Sequence, residues 1–302
     1  MSARSPMSVR FWGVRGSIPA PGAQTAHYGG NTPCIEVRCG EHMIILDAGT
    51  GIRLLGNELM RNGSTIDAEI LFSHCHMDHI NGLPFFAPAF VPGNRLRLWT
   101  GNLMPVYRLE EVVRRIISPP LFPVEVEIFK ARMEYRDFGA GDVLQPRPGV
   151  TVRTAPLDHP DGATGYRIEY GGLSIAYITD TETRREDCIR RITSLAQDVE
   201  LMIFDCTYTE AELPSRVGWG HSSWQQGLRL AEAAGAKVFC LFHHDPDRDD
   251  RAMDSVAAAV DAARAGTIVA REGLVVDLLA LKNAAGAAQR RNSAMLNSAT
   301  PR

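Results

Sequence analysis

The sequence has no strong excess of charge of either sign. Its 302 residues include 32 lysines and arginines against 35 aspartates and glutamates, so the formal net charge is −3 at pH 7. Nonspecific binding to nucleic acid depends on many basic side chains that neutralise phosphates. The composition therefore argues against a protein that grips RNA or DNA through overall positive charge, although a basic rim around one site would not show in a net charge.

Long apolar runs and paired cysteine motifs are also missing. No stretch is long and apolar enough to span a bilayer, and residues 1–6 contain no apolar signal core. The six cysteines are scattered along the chain without a CxxC pair. Free thiols are the expected state of such cysteines when no secretion signal is present. We therefore expect a cytoplasmic protein without disulfide bonds and without a membrane partner.

The patterns that are present predict strands first and helices later. Strand patterns occur at residues 8–14, 34–38, 43–46, 69–72, 95–99, 150–155, 165–170 and 173–178. Helical spacing marks residues 51–62 and about 104–117. In the last third, strands 200–204, 237–242 and 274–279 alternate with helices 222–234 and 251–264. This order predicts an α+β fold with two sheets covered by outer helices, in one domain over residues 1–282 and with a mobile polar tail at 283–302.

The densest group of metal-binding side chains is His74-Cys75-His76-Met77-Asp78-His79, directly after an apolar strand pattern. Neutral imidazole and carboxylate are good ligands for zinc and related divalent ions. His74 and His76 alternate along the chain and can reach one ion, while Asp78 and His79 can turn toward a second. The motif therefore predicts a metal site. We interpret Cys75 as a small apolar side chain that points away from the metals.

Three further candidate ligands, His159, Asp180 and His243, also follow strand patterns. A lone histidine is weak evidence for a metal site, but a shared position at strand ends strengthens all three. His243 is followed by His244, and the alternation of side chains along a strand lets only one of them point straight into the site. We predict that His243 is the ligand and that His244 supports a ligand or faces the substrate.

Seven segments together resemble the metallo-β-lactamase fold superfamily, and specifically its tRNase Z-like phosphodiesterase branch. They are GVRGSIP at 13–19, LDAGTG at 46–51, SHCHMDHINGLP at 73–84, HP at 159–160, GYR at 165–167, TDT at 179–181 and LFHH at 241–244. The HxHxDH element is typical of the superfamily, whereas the Gly-Leu-Pro and Gly-Tyr-Arg elements favour this branch. The resemblance extends over roughly residues 9–279.

The resemblance implies a four-layer αββα sandwich, in which two mixed sheets are flanked by helices. It also implies two divalent metal ions, zinc in the first place and manganese as the alternative. One ion would be held by His74, His76 and His159. The second would be held by Asp78, His79 and His243, and Asp180 would bridge the two.

The chemistry expected of such a site is attack by a hydroxide that the two metals share, which suits a phosphodiester. Asp205 and His221 resemble a carboxylate–histidine pair that assists proton transfer in tRNase Z-like enzymes, although the carboxylate here is one methylene shorter. We therefore count Asp205 and His221 with Asp78 as candidate catalytic residues. The alternative is that His221 merely precedes the helix predicted from residue 222.

The expected substrate is a small phosphodiester such as a cyclic nucleotide. Many tRNase Z enzymes carry a long basic arm that grips tRNA, whereas only residues 181–220 separate Asp180 from His221 here, without such an arm. Specific nucleic-acid binding is therefore not expected, although a tRNA 3′-processing endonuclease stays a second candidate. The same fold also hosts acyl hydrolases, so a lactonase, thioesterase or β-lactamase stays a candidate, as do a non-enzymatic metal-binding protein and an iron redox enzyme. The oligomeric state is open, with a homodimer as one option.

Five residues near the predicted site keep two interpretations. Asp47 in Leu-Asp-Ala-Gly either orients metal ligands or ends a strand in a turn. Arg15, Ser17, Asn31 and Thr32 lie in glycine-rich loops that either form a phosphate-binding rim or are only tight connections.

Overall fold

The computed structural model describes residues 6–284, and these form two seven-stranded sheets packed face to face. The first sheet contains β1 (Met7–Gly13), β2 (Cys34–Cys39), β3 (His42–Leu46), β4 (Asp67–Phe72), β5 (Arg95–Thr100), β6 (Arg132–Asp137) and β14 (Val275–Asp277), in the order β14-β1-β2-β3-β4-β5-β6. The second contains β7 (Val143–Arg147), β8 (Val150–Leu157), β9 (Ala163–Tyr170), β10 (Leu173–Ile178), β11 (Leu201–Asp205), β12 (Val238–Phe242) and β13 (Ile268–Val269), in the order β13-β12-β11-β10-β9-β8-β7.

Both sheets are mixed, with an antiparallel half and a parallel half. In the first sheet β14, β1, β2 and β3 pair antiparallel, while β3 to β6 are parallel. In the second sheet β7 to β10 pair antiparallel, while β10 to β13 are parallel. Every residue of β10 and β11 is buried. Such continuous apolar runs are typical of parallel strands that are covered on both faces.

Helices cover the outer face of each sheet. They are α1 (Gly51–Arg61), α2 (Met77–Ile80), α3 (Leu109–Ile116), α4 (Glu186–Leu195), α5 (Trp224–Ala233) and α6 (Asp250–Ala263). The central core, which includes Phe11 and Phe242, lies between the sheets. Side chains of α1 and α3 share an outer core with the first sheet, and those of α4, α5 and α6 share one with the second. The predicted αββα sandwich is confirmed.

Several predicted boundaries differ from the structure. The helix predicted from about residue 104 begins at Leu109, because Arg108 has extended backbone (φ −114°, ψ 146°). We did not predict α4, β6, β7 or β13. In α4 the buried residues Cys188, Ile192 and Leu195 have helical spacing, but charged residues separate them and hide the apolar pattern.

The tail predicted for residues 283–302 falls mostly outside the described residues. Its first two residues, Asn283 and Ala284, are helical and exposed. The division into one domain and a tail stays a prediction. Between residues 6 and 284, no helix combines the length and apolar character needed to cross a membrane.

Candidate metal centre

Seven histidine and aspartate side chains meet where several strands end. The first group consists of His74, His76 and His159, and the second of Asp78, His79, Asp180 and His243. Within each group, the candidate ligand atoms all lie within 4.8 Å of one another. The segment after β4, which includes α2, supplies four of these residues, and the segments after β8, β10 and β12 supply one each. The structure thus brings together every residue that the sequence predicted as a metal ligand, while their role as ligands stays a prediction.

Asp180 lies between the two groups. Its Oδ1 atom is 4.0 Å from Nε2 of His74, 3.8 Å from Nε2 of His159 and 3.3 Å from Nε2 of His243. Its Oδ2 atom is 3.3 Å from Nε2 of His79. A carboxylate in this position would be within reach of a cation held by either group, which fits the predicted bridging role.

Four of these histidines have Nδ1 next to a hydrogen-bond acceptor. The acceptors are Ser73 Oγ for His74 (3.1 Å), Asp47 Oδ2 for His79 (2.8 Å), Gly220 O for His159 (2.9 Å) and Thr207 Oγ1 for His243 (3.0 Å). When Nδ1 carries the proton and donates a hydrogen bond to its acceptor, Nε2 presents a lone pair to the centre. Among the described residues, the buried Nε2 atoms of His74 and His79 have no hydrogen-bond partner. Inward-facing imidazole nitrogens without partners fit divalent cations.

The charges of the centre depend on one another. Burial lowers the pKa of His74 well below its usual value and favours the neutral imidazole that a metal requires. Burial would raise the pKa of Asp78, but the neighbouring His79 outweighs it and holds that pKa well below the usual range. Burial likewise opposes a proton on His79, yet the charges of Asp78, Asp180 and Asp47 raise its pKa well above the usual value. A cation entering the centre would therefore displace a proton from His79.

Asp47 supports the centre from beneath and is completely buried. Its Oδ1 accepts the Ser73 amide at 2.7 Å, and its Oδ2 accepts the hydroxyls of Ser73 (2.8 Å) and Tyr177 (2.7 Å) as well as Nδ1 of His79. Of the two interpretations of Asp47, the geometry favours the one in which it orients a candidate ligand. Such outer partners fix the ring orientation and the tautomer of a ligating histidine.

The structure separates the roles of His243 and His244. Nε2 of His243 is 3.4 Å from Asp78 and 3.3 Å from Asp180. His244 points away, and its Nε2 donates to the carbonyl of Ala270 at 2.8 Å. Burial lowers the pKa of His244 to about 3, so its ring is neutral. His243 therefore occupies the predicted position, whereas His244 neither faces the centre nor contacts a candidate ligand through its ring nitrogens.

Three residues of the centre have left-handed backbone at the end of a buried strand. Asp47 follows β3 with φ 60°, Asp180 follows β10 with φ 56°, and His243 follows β12 with φ 60°. This conformation costs on the order of 1–3 kcal/mol for a residue other than glycine, and Asp and His are among the side chains that tolerate it best. These turns lie at the strand ends where the candidate ligands meet.

Asp205 and His221 form a buried pair beside the centre. Oδ2 of Asp205 is 3.0 Å from Nδ1 of His221, and the same nitrogen is 3.8 Å from Oδ1 of Asp180. Burial lowers the pKa of His221, but the charge and hydrogen bond of Asp205, together with Asp180, raise it to about 9. The structure thus places both residues as the sequence predicted, although their catalytic role stays a prediction. His221 also precedes α5, as its purely structural interpretation requires, but the capping residue of that helix is Ser223.

The structure decides between the two interpretations of the glycine-rich loops for Arg15 and Thr32. Arg15 is fully buried, and its guanidinium donates to the carbonyls of Gly29, Asp245 and Arg248. Thr32 is also fully buried and bonds to Thr50, while Asn31 bonds to Glu272. The rim interpretation is therefore wrong for Arg15 and Thr32, because neither side chain reaches solvent.

Two features of the first loop act on the centre directly. The backbone amide of Ser17 donates to Oδ2 of Asp78 at 2.8 Å. At Gly16 an added Cβ would lie 2.3 Å from the ring of His243, so only glycine leaves room for that imidazole. These contacts were missed in the sequence because they depend on loops far apart in the chain. The glycine in Gly-x-x-Gly was the available signal.

Thr207 is the other residue that sequence analysis missed. Its hydroxyl donates to Oδ1 of Asp205 at 2.7 Å and lies 3.0 Å from Nδ1 of His243. In the sequence, only its position two residues after Asp205 indicated that Thr207 contributes to the site. Cys75, in contrast, is placed as predicted, because it packs against the apolar core beneath the first sheet and burial raises the pKa of its thiol to about 12.

Comparison with known proteins gives a consistent result. Residues 42–244 match the family model described as the beta-lactamase superfamily domain. The ribonuclease Z of Myxococcus xanthus is 23% identical over 82% of this chain and 92% of its own length. The ribonuclease Z of Mycobacterium sp. (strain KMS) is 26% identical over 76% of this chain and 81% of its own length.

Solved structures share the fold at low sequence identity. The metallo-β-lactamase fold protein YhfI from Bacillus subtilis aligns with a TM-score of 0.69 at 18% identity, over 90% of this chain and 99% of its own. A diphosphatase of the PhnP family aligns with a TM-score of 0.64 at 18% identity, over 89% of this chain and 96% of its own. The short form of human tRNase Z aligns with a TM-score of 0.63 at 18% identity, over 90% of this chain and 99% of its own.

The relatives confirm the resemblance to the tRNase Z-like branch and the predicted class, a metal-dependent hydrolase. The matched family model covers more than half of the chain and includes each of the seven candidate ligands. The protein therefore belongs to the beta-lactamase superfamily.

Proposed function

We propose that this protein hydrolyses a small phosphodiester, such as a cyclic nucleotide, at a two-metal centre formed by the seven side chains described above. The observation that carries the proposal is the Asp205–His221 pair, which lies beside Asp180. A two-metal centre alone would serve acyl hydrolases equally well. A proton donor held next to the metals is what the expulsion of a poor alkoxide leaving group needs.

The donor set favours zinc, with manganese as the alternative. Five imidazoles and two carboxylates contribute candidate ligand atoms, and nitrogen-rich sites of this kind suit zinc better than magnesium or calcium. When bound, two such ions would activate a water molecule and neutralise the negative charge that develops on the phosphate oxygens.

The chain's own side chains would supply the proton. Hydrolysis adds water to phosphorus, breaks the bond between phosphorus and the leaving oxygen, and requires a proton on that oxygen. His221 has a pKa raised to about 9, through the Asp205 and Asp180 charges that outweigh its burial, so it is protonated at neutral pH. Because Nδ1 faces Asp205, Nε2 is the atom that would give its proton to the leaving oxygen.

Residues 181–220 favour a small substrate. These residues fold into α4, β11 and a short loop, without a long basic extension. Together with the net charge of −3, this favours a small phosphodiester. The second candidate function is RNA cleavage, which the similarity to ribonuclease Z enzymes over most of both chains supports.

We also propose a cytoplasmic location. The six cysteines are all unpaired, and five of them are buried. Unpaired thiols are typical of reducing compartments.

A substrate screen with a matched variant pair tests the proposal. Purified protein of known metal content would be assayed with bis-p-nitrophenyl phosphate, cyclic nucleotides, a 3′-extended tRNA, a lactone and nitrocefin. We expect turnover of the first two classes, which Asp78→Asn abolishes. Asp198→Asn should leave it unchanged, because Asp198 is exposed and precedes β11 at the other end of the strand. Turnover of the lactone or nitrocefin alone would overturn the proposal, and preferred cleavage of the tRNA would establish the second candidate instead.

A further inference from the structure

A cavity of about 390 Å³ opens beside His221. Its walls are formed by the segment after β10, with Glu182, Thr183 and Arg184, and by the loop that carries Glu210, Leu213, Pro214, Arg216 and Val217, together with Gln226. Because His221 belongs to the wall, the cavity adjoins the proposed proton donor. Whatever part of the substrate carries the leaving oxygen must extend toward His221.

Arg216 is the distinctive cation of this cavity. Its guanidinium carbon lies 4.7 Å from the ring centroid of Trp219 and 5.8 Å from that of Tyr208. Within residues 6–284, no carboxylate lies within ion-pair distance of Arg216, whereas Arg184 is 4.0 Å from Glu182. Aromatic rings orient a guanidinium without neutralising it. The two aromatic rings thus position Arg216, and its charge can bind an anion.

The loop around Arg216 is tied down at both ends. Oε1 of Glu182 accepts the amides of Gly218 at 2.5 Å and Gly220 at 3.2 Å. Oε2 of Glu212 accepts the amide of Thr209 at 2.6 Å and its hydroxyl at 2.7 Å. A loop fixed in this way loses little conformational freedom when a ligand binds. It therefore presents Arg216 in a defined position.

The rest of the loop contributes an apolar surface to the cavity. Leu213, Pro214 and Val217 line it, and Val217 is 55% exposed. Cavities that bind small molecules typically combine such apolar walls with a few fixed polar groups. Of the two carboxylates in the walls, Glu210 pairs with Arg229 and Glu182 accepts backbone amides, so both are occupied by other partners. The apolar side chains beside the guanidinium of Arg216 therefore suit a ligand that has a flat ring and an anionic group.

We propose that this cavity binds the leaving half of the substrate, a nucleoside that carries a further phosphate. The ring would pack on Leu213, Pro214 and Val217, and the further phosphate would bind Arg216. This inference rests on the proposed phosphodiesterase function and on the position of the cavity beside His221. It refines the proposed small phosphodiester to a short linear nucleotide, in place of a cyclic one, with a second phosphate beyond the scissile one.

Three matched dinucleotides test the subsite. They are thymidylyl-(3′,5′)-thymidine and the same compound with a terminal phosphate at its 5′ end or at its 3′ end. The leaving nucleoside is the product that does not retain the scissile phosphate. We expect a terminal phosphate on that nucleoside to raise kcat/KM about tenfold, the effect of one charge-assisted contact at a partly exposed site.

Variants of Arg216 identify the contact. Arg216→Gln should remove the preference for the terminal phosphate, and Arg216→Lys should retain part of it. Arg153→Gln is the control, because Arg153 is exposed on β8 and pairs with Glu169, and it should keep the full preference. Thermal unfolding of each variant would show that the loop change leaves the fold intact.

The outcomes separate this subsite from the proposed function. Turnover of bis-p-nitrophenyl phosphate without turnover of the dinucleotides, or with no phosphate preference, would overturn the subsite alone. A preference that survives in Arg216→Gln, or that depends on the phosphate of the other product, would overturn it as well. No turnover of any phosphodiester would overturn the proposed function and the subsite together.

Discussion

The Oδ2 atom of Asp205 lies 3.0 Å from Nδ1 of His221, and both residues are almost completely buried beside the candidate metal centre. Thr207 extends this contact, because its hydroxyl donates to Oδ1 of the same carboxylate and lies next to Nδ1 of His243. One carboxylate therefore holds the proposed proton donor and, through Thr207, a candidate metal ligand. The two parts of the site are fixed relative to each other.

Replacement of His221 by Ala should reduce turnover most for substrates with poor leaving groups. A general acid contributes roughly 10²-fold or more where the leaving oxygen needs a proton, and much less for p-nitrophenolate. The measurement is kcat for a series of phosphodiesters that differ only in the leaving-group pKa. Equal losses along the series would show that His221 is only structural. Metal content measured in parallel would show that the centre is intact in the variant.

Replacement of Asp47 by Ala should weaken both folding and metal binding. The variant leaves the hydroxyls of Ser73 and Tyr177, the amide of Ser73 and Nδ1 of His79 without their acceptor. We expect a loss of roughly 3 kcal/mol or more in the free energy of unfolding. Metal affinity should fall about 10- to 100-fold.

Tyr177→Phe is the matched control for Asp47→Ala, because it removes only one of these hydrogen bonds. Tyr177→Phe should lower the free energy of unfolding by about 1 kcal/mol and leave metal affinity within a few-fold of wild type. Urea unfolding and competition with a chelator measure the two quantities. Equal effects of both variants on metal affinity would contradict the orienting role of Asp47.

The sequence was sufficient to predict the layers of the fold and to identify candidate ligands that the structure brings together. His74, His76, Asp78 and His79 form a local motif, and the other candidates follow strands whose apolar patterns are easy to identify. Strand ends that meet at one edge then bring these side chains together.

The remaining contacts could not be predicted, because they join loops that are distant in the sequence. Arg15 looked like an anion-binding side chain, yet it is buried against three backbone carbonyls. The amide of Ser17 reaches Asp78 only because the loop after β1 and the segment after β4 lie next to each other. Helix α4 was missed because charged residues interrupt its apolar face.

Gly16→Ala should displace His243 while the fold is retained. The added methyl group would lie 2.3 Å from the imidazole, closer than any unstrained contact, so the ring must move. We expect one metal ion to bind much more weakly and activity to fall by at least tenfold, since small misplacements of a reacting group are costly. Gly139→Ala is the control, because its Cβ would meet only the carboxylate of Asp142 at an ordinary 3.6 Å. Normal metal content in Gly16→Ala would contradict this account.

The stability contributed by Asp67 should depend on pH. Hydrogen bonds from Arg147 and Arg97, partly opposed by burial, lower the pKa of Asp67 to about 2. Because the folded-state pKa lies below the unfolded one, this contribution is present above about pH 4 and is lost as the pH falls toward 2. The carboxylate is 48% exposed, so screening by solvent limits the contribution to about 1 kcal/mol or less.

Urea unfolding of metal-free wild type and Asp67→Asn at several pH values tests this dependence. Asp67→Asn should be the less stable protein at pH 7, and the difference should shrink between pH 4 and pH 2. A difference that stays constant over that range would show that the ion pairs with Arg97 and Arg147 do not stabilise the fold.

The most direct test of the central claim is the metal content of the purified protein and of Asp180→Ala, measured together with hydrolysis of bis-p-nitrophenyl phosphate. The position of Asp180 between His74, His79, His159 and His243 predicts two divalent ions per wild-type chain and at most one per variant chain, with activity lost in the variant. A wild-type chain that turns over this phosphodiester with no metal bound, or an Asp180→Ala variant with two ions and full activity, would contradict it.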